Sequence, residues 1–426
     1  MLNFELWMCS LEKGNSNFSI SSFTMHTLPD NKNYDALVVG MGPAGATAAY
    51  ELSRAGLSVL GIEKQTHPRY KVCGGGLSVR IEQLLDLEFK SVVEHTIFGI
   101  QFSYRGQESV LIESPSPIAY MVMRDRFDHH LVQRARRVGT EIHEGEPARS
   151  FRHVPDGVEV TTDRGRYHAQ VLIGADGANS QVAQHLFPGR RLRCMPTLES
   201  EIAIGQAPQY PGHGKALIDI GAGSMGYAWI FPKQGRLSVG VGEFQSKPAS
   251  LKNTFDRFVR GEKGLASWDV PKPVGHPLPL FSSRAELLGQ QGPGELVNGR
   301  ALLVGDAGHL VDPLFGEGIY YAVRSGKMAA TTVLDQLHDR SESLWDYELA
   351  IRQELYPEFR IASRLADIVY SFPRLCHRLL NPYREVIQLY YEVLRGKETY
   401  QSFFRQAKGV VKSSSRELLL EALQLR

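Results

Sequence analysis

The stretch from Tyr34 to Lys64 constrains the fold more than any other part of the chain. Ala36-Leu-Val-Val39 runs into Gly40-Met-Gly42-Pro-Ala-Gly45, the small-residue segment Ala44 to Ala55 follows, and Ser58 to Glu63 closes the unit. The first apolar run is too short for a helix and reads as a buried strand, the middle segment reads as a helix, and the last reads as a second strand. That is a βαβ unit. Its Gly40-x-Gly42-x-x-Gly45 turn permits a tight bend, close backbone approach to a pyrophosphate and close helix-strand packing, and the helix start offers amide donors to phosphates. Glu63 ends the second strand about 20 residues on, where a carboxylate accepts hydrogen bonds from ribose hydroxyls and disfavours a 2′-phosphate. The pattern predicts FAD or NAD, contacted by Gly40, Gly42, Ala44, Gly45 and Glu63.

Composition sets the class around this unit. A chain of 426 residues with 42% hydrophobic and 22% charged content is globular and longer than one core sustains, so an α/β unit carrying an inserted lobe is expected. Lys and Arg number 48 against 46 Asp and Glu, and basic pieces are as short as Gly189-Arg190-Arg191-Leu192-Arg193, which argues against nucleic acid as a partner. Cys9, Cys73, Cys194 and Cys376 lie far apart with no CxxC pair, so no metal centre or disulfide framework is expected and the default setting is reducing and cytoplasmic. No uncharged apolar run reaches the roughly 18 residues of a membrane span. Met1 to Asp30 is rich in Ser and Asn and lacks the marks of a signal peptide; residues 1–33 read as a loose extension, with Met8 or Met25 as alternative starts.

Beyond the βαβ unit, Pro68 to Gly76 is loop chemistry, because three successive glycines hold regular structure only at a cost. Val92 to Ile118 alternates in short runs about Arg105-Gly106-Gln107 and suggests an antiparallel hairpin. Arg124 to Arg137 is an amphipathic helix, Glu141 to Glu146 and Gly157 to Thr162 read as strands, and Val171 to Ser180 is a buried strand entering a polar turn. Short strands from Glu199 to Phe244 form a second sheet, Gly299 to Ala307 repeats the strand-to-turn theme, Gly318 to Leu337 is helical, and Leu344 to Leu425 is an all-helical tail.

Gly305-Asp306-Ala307 followed by Pro313 and Gly316-Glu-Gly318-Ile319 resembles the second FAD fingerprint of the glutathione reductase-like flavoproteins. The resemblance implies that Asp306 holds the ribityl chain and that Gly318 and Ile319 face the flavin's pyrimidine edge, where a helix dipole favours the anionic reduced ring. An ordinary helix cap is the competing reading of Asp306. Gly174-Ala-Asp176-Gly177-Ala178-Asn179-Ser180 resembles the Asp-Gly motif of the para-hydroxybenzoate hydroxylase-like branch, and three motifs in order select FAD. Arg124 matches a position that reaches the FAD phosphates in that superfamily, with a solvated arginine as the alternative, and Ala148 a position whose backbone meets adenine.

Pro68-x-Tyr70-x-x-Cys73-Gly74-Gly75-Gly76 resembles the geranylgeranyl reductase family, and Gly226-Tyr227-x-Trp229-x-Phe231-Pro232 resembles a second signature of that family, one that lines the substrate pocket. The resemblance implies a FAD-dependent reductase that saturates double bonds of a geranylgeranyl chain carried on a lipid, diphosphate, chlorophyll-type or quinone head group. Tyr227, Trp229 and Phe231 suit such a chain, although packing of their strand explains one or two of them equally well. Cys73, between Arg69 and Lys71 and the glycines, is read either as a thiol near the flavin that serves as proton donor or redox partner or as a small residue allowing close approach, and Gly74 and Gly76 as making room for flavin and substrate. His309, Asp312 and Glu317 are left outside the catalytic set.

The expected architecture is a Rossmann-like FAD-binding domain over residues 34–332, in pieces 34–90, 120–185 and 295–332, with an antiparallel-sheet substrate lobe inserted at 91–119 and 190–294 and a helical C-terminal region at 333–426. No second dinucleotide motif is visible, so the electron donor is NADPH, NADH or an electron-donor protein such as ferredoxin. A flavin monooxygenase and an electron-transfer flavoprotein are the alternatives; Ile319 and the Cys-Gly-Gly loop depart from the first, and the second lacks iron-sulfur cysteine spacing. Phe372, Arg374, Arg378, Tyr383 and Arg384 suit an interfacial helix giving peripheral membrane contact, or packing of the tail on the FAD domain.

Overall fold

The computed structural model describes residues 32–410 apart from 188–193, 206–213, 224, 245–247, 262–264, 266–267, 282–294 and 339–342. The extension before residue 32, the basic piece at 189–193 and the tail beyond 410 lie outside the described residues.

The βαβ unit forms as its sequence dictates. Strand β1 (Lys32–Val39) enters the glycine turn, helix α1 (Pro43–Arg54) follows, and β2 (Val59–Glu63) returns parallel to β1 with Ala36 opposite Val59 and Val39 opposite Ile62. Gly40 takes φ +94°, and a Cβ there would stand 2.4 Å from the Ala175 carbonyl oxygen, so only glycine serves. A Cβ on Gly45 would meet the Gly40 carbonyl at 1.9 Å.

Around β1 and β2 an eight-stranded sheet assembles. Its order is β17 (Val297–Asn298), β18 (Ala301–Leu303), β11 (Arg166–Gly174), β1, β2 and β8 (Glu141–Glu144), with β10 (Gly157–Thr162) and then β9 (Ala148–Val154) added antiparallel along the first half of β11. Strands β18, β11, β1, β2 and β8 run parallel; Ala301–Leu303 and residues 171–174, 36–39 and 59–62 are apolar and buried because both faces are covered, whereas the edge strand β8 is half-buried and largely polar. Helix α2 (Arg124–Arg137) packs beside α1. Helix α5 (Ile319–His338) crosses α1 so closely that a Cβ on Gly326 would meet the Ala44 carbonyl oxygen at 2.4 Å.

The second sheet has seven strands in the order β16 (Val274–Leu278), β12 (Met195–Ala203), β15 (Arg236–Glu243), β14 (Gly226–Lys233), β13 (Ala216–Asp219), β5 (Gly99–Tyr104) and β6 (Glu108–Glu113). All its pairings are antiparallel except β13 with β5. Alternation gives it two apolar faces. Ala228, Ile230, Val239 and Val241 pack under helix α4 (Pro248–Gly261) through Leu251, Phe255 and Phe258, whereas Ile100, Ile218, Tyr227 and Trp229 face the FAD-type domain and the tail.

Two expectations change. The hairpin forms between Gly99 and Glu113 about a turn with Arg105 at φ 54° and Gly106 at φ 66°, but β4 (Val93–Ile97) leaves it. It pairs instead with β7 (Ala119–Val122), which also pairs β3 (Gly76–Ser78), in a separate three-stranded sheet. Alternation reports that a segment is a strand, not which strand it joins. Strand β9 and helix α4 were also absent from the sequence reading; in β9 only Phe151 is buried, so its pattern is weak.

The tail is helical over α6 (Trp345–Glu354), α7 (Tyr356–Ser371), α8 (Pro373–Leu380), α9 (Arg384–Leu394) and residues 400–410. Tyr370, Tyr390, Tyr391, Tyr400 and Phe403 bury against the second sheet. Ile368, Phe372, Leu375 and Leu379 stay exposed, Phe372 at 61%, while Arg384 bonds the Leu111 carbonyl of β6. The tail therefore carries exposed apolar residues as well as residues packed on the second sheet. No helix among the described residues is long and apolar enough to cross a membrane.

Candidate active site

A single cavity of about 830 Å³ runs between the two sheets, with the glycine turn at one end and the aromatic strand β14 at the other. Gly40, Gly42, Ala44, Glu63, Cys73, Gly74, Gly76, Arg124, Ala148, Asp306, Gly318, Ile319, Tyr227, Trp229 and Phe231 all line it. Gly45 does not; it lies beneath the turn, where it admits the Gly40 carbonyl.

At the turn, the residue before α1 is Gly42 and no side chain caps the helix, so the first-turn amides face the cavity without a side-chain partner. Glu63 is buried, with Oε2 accepting from the Met41 N–H at 2.9 Å and Oε1 from the Gln65 N–H at 3.1 Å. Glu146, Ala148 and Phe151 extend the same wall, and Asp176 caps the helix that follows it by accepting from Ser180 and the Gln181 N–H.

Cations collect beside this end. Arg124 is buried and holds Asp128 through two bonds, Nε to Oδ1 at 2.7 Å and Nη2 to Oδ2 at 2.8 Å. Burial alone would raise the Asp128 carboxyl, but Arg124, Arg69 and Lys71 overcome it and hold the group below the usual range. Arg69 Nη1 lies 3.1 Å from Asp128 Oδ2, off the line of a hydrogen bond, and keeps a buried N–H unpartnered. Lys71 bonds His276 Nε2 at 2.9 Å; burial and then the Lys71 charge push His276 down to about 4, so its ring is neutral near pH 7 and accepts. Three cations against the buried carboxylates of Asp128 and Glu63, an uncapped helix start and a turn with no room for a Cβ fit a diphosphate. The residues therefore fit FAD.

The loop after β2 meets β14 at the cavity wall. A Cβ on Gly74 would stand 2.9 Å from the Phe231 ring and 3.1 Å from Trp229 Nε1, and one on Gly75, at φ +70°, would stand 2.1 Å from the Val122 carbonyl. These two glycines thus make room for the protein's own aromatic strand and β7, and with Gly76 they also line the cavity. Tyr227, Trp229 and Phe231 share one face of β14. Gly242 and Gly240 stand opposite Tyr227 and Trp229 on β15, and a Cβ on Gly240 would meet the indole at 2.1 Å, so the ring lies across the neighbouring strand. The Tyr227 hydroxyl donates to the Phe315 carbonyl at 2.8 Å, and the Trp229 indole N–H is buried without a partner.

Cys73 sits where these parts meet. Arg124 reaches its sulfur, and its N–H donates to Glu199 Oε1 at 3.1 Å. Glu317, left outside the catalytic set, bonds Arg80 and Ser78 at the cavity wall. Asp312 caps its own turn through the Leu314 and Phe315 N–H groups, and burial, with the nearby Glu317 charge, pushes it up to about 6. His309 holds a left-handed conformation at φ 56° in a buried turn.

Sequence reasoning missed His276, Glu199, Phe315, Tyr390 and Leu394 at this cavity, and Asp128 behind Arg124. Arg124 and Asp128 at i and i+4 of a helix were a readable pair. The others come from strands and helices far apart in the chain and carried no local signal.

A family model for an FAD binding domain matches residues 33–191. The chain is 31% identical over 364 residues to the geranylgeranyl diphosphate reductase of Rhodobacter capsulatus, covering 81% of this chain and 88% of that one. It is 32% identical over 374 residues to the menaquinone reductase of Mycobacterium tuberculosis, covering 80% and 85%. Among solved structures, a geranylgeranyl bacteriochlorophyll reductase-like protein of Thermoplasma acidophilum shares the fold at TM-score 0.67 and 24% identity, covering 79% of this chain and 88% of that one.

Proposed function

Because this chain belongs to the geranylgeranyl reductase family of FAD-dependent oxidoreductases, we propose that it saturates carbon-carbon double bonds of a geranylgeranyl chain attached to a lipid, diphosphate, chlorophyll-type or quinone head group. The observation that carries the reading is the continuity of the cavity: dinucleotide loops at one end and Ile100, Met121, Ile218, Trp229, Phe231 and Leu278 at the other bound one space.

The assignment of residues follows from that space. The turn at Gly40, Gly42 and Ala44 receives the diphosphate, with Arg69 and Arg124 balancing its charge; Glu63 takes ribose hydroxyls, Ala148 the adenine, Asp306 the ribityl chain, and Gly318 and Ile319 the pyrimidine edge. Bound there and reduced by NADPH, NADH or an electron-donor protein, FAD supplies the hydride that alkene reduction requires. Tyr227, Trp229 and Phe231 hold the chain and keep water from the reacting carbons. Cys73 gives the proton to the second carbon, and Arg124 faces the thiolate left behind. The exposed Phe372, Leu375 and Leu379 give the protein peripheral contact with the membrane that holds such a chain.

The test is anaerobic incubation of the chemically reduced protein with geranylgeranyl diphosphate, or with a geranylgeranyl glycerolipid in anionic liposomes. The expected result is a gain of about two mass units per double bond, as hydride plus proton requires, with the protein sedimenting with the liposomes. A gain of about one oxygen atom, seen only in air, would replace the reading with hydroxylation. No mass change on any head group would end it, and protein left in the supernatant would end the membrane part.

A further inference from the structure

Glu199 is a buried carboxyl in the wall of the cavity that the mechanism above does not use. Its strand, β12, places Glu201 two residues on, on the same face. Lys233 of β14 is buried and bonds Glu201 Oε1 at 2.8 Å, and Ser238 of β15 donates to the same oxygen at 2.9 Å, while Glu201 Oε2 is buried without a hydrogen-bond partner. One buried cation thus serves two carboxyls, the buried Glu199 and the largely buried Glu201, and its bond goes to Glu201. Two charged carboxylates sharing one ammonium out of water leave an excess negative charge that a retained proton removes. Glu199 touches the reacting end of the cavity: Oε1 accepts the Cys73 N–H, and Trp229, Phe231 and Gly74 border the same space.

We propose that Glu199 is the internal proton reservoir of the reaction, recharging Cys73 from the cavity wall. This rests on the reductase reading. Each double bond saturated takes up a hydride at one carbon and a proton at the other. As the new C–H bond forms, the Cys73 S–H bond breaks; the thiolate takes the proton of the Glu199 carboxyl, and the carboxylate is reprotonated by water entering past Tyr70, which is 50% exposed. Acting through Cys73, Glu199 is a positioning residue, and its value lies in where its proton resides near neutral pH. Burial, with the Glu201 charge added, pushes it up to about 7 against the opposing Lys233 charge and the Cys73 N–H. The other charged or titratable groups on this wall are Tyr70 and Lys71 from the loop and His276 from β16.

Glu199→Gln tests this, because an amide oxygen still accepts the Cys73 N–H while the proton store is lost. In the FAD-loaded wild type, an infrared titration should show a protonated-carboxyl band that disappears as pH rises through about 7, and the band should be missing in Glu199→Gln. FAD content and KM for geranylgeranyl diphosphate should be unchanged, with turnover down about 100-fold, within the range for a positioned proton-transfer group. Glu201→Gln removes the like charge and frees Lys233, so it should move both the band and the alkaline limb of the pH profile to lower pH. A Glu199→Gln protein with wild-type turnover and an unchanged pH profile would overturn the proposal, as would a wild type with no carboxyl titrating near neutrality. A wild type that shows the band but reduces no chain would sink the substrate reading and not the buried proton.

Discussion

Glu63 and Glu199 are both buried acids on the cavity, and they differ in how they are held. Glu63 accepts two N–H groups from its own neighbourhood in the chain, Met41 and Gln65, which is why a motif reading finds it. Glu199 takes its surroundings from residues 73, 201, 233 and 238, so nothing in the sequence near position 199 marks it. Its burial has a cost that pH exposes. The carboxyl stands at about 7 against an ordinary 4.5, so its contribution to stability is complete below the unfolded value and is lost as pH rises through about 7. Glu199→Gln is therefore expected to gain stability relative to the wild type between about pH 5 and about pH 8, by on the order of 2 kcal/mol. Thermal melts of both proteins at the two pH values check this; a difference that stays flat or reverses contradicts the assigned protonation.

Helices and strands were legible where their period was strong. The sequence reading put a helix at Arg124 to Arg137 and another at Gly318 to Leu337, and the structure has Arg124–Arg137 and Ile319–His338. What joins elements was not legible. The register of β14 on β15 sets Trp229 against Gly240, so a glycine that looks like a weak point in a strand is the space an aromatic ring occupies, while Met195 covers the neighbouring Gly242. The α1–α5 crossing works in the same way, through Ala44 and Gly326. In Gly326→Val the new Cβ would meet backbone at 2.4 Å, and because that backbone is the first turn of α1, the glycine turn must shift. Overpacking of this kind costs about 1–3 kcal/mol, and the purified protein is expected to melt earlier and carry little FAD. Full yellow colour in that variant would show that the turn does not depend on the crossing.

Across the whole molecule, the tail closes the cavity that the two sheets begin. Tyr390 and Leu394 of α9 line it alongside Phe315, and Tyr370, Tyr391 and Tyr400 fix these helices to the second sheet. That part of the cavity is thus built by residues more than 140 positions beyond β14. Leu394→Trp should shorten that space and leave FAD content intact, so products should retain unreduced double bonds; mass spectrometry of the product ladder reads this, and an unchanged ladder refutes it. The sequence by itself determined the βαβ unit, its glycine turn, Glu63 and the cofactor class, because those depend on contacts within about 30 residues and on backbone geometry only glycine allows. Tertiary structure alone decided why Gly74 and Gly75 are glycines, where β4 pairs, and how Glu199, Lys233 and the tail meet the cavity. Those depend on which distant surfaces pack together, and burial, register and shared charge exist only once they have.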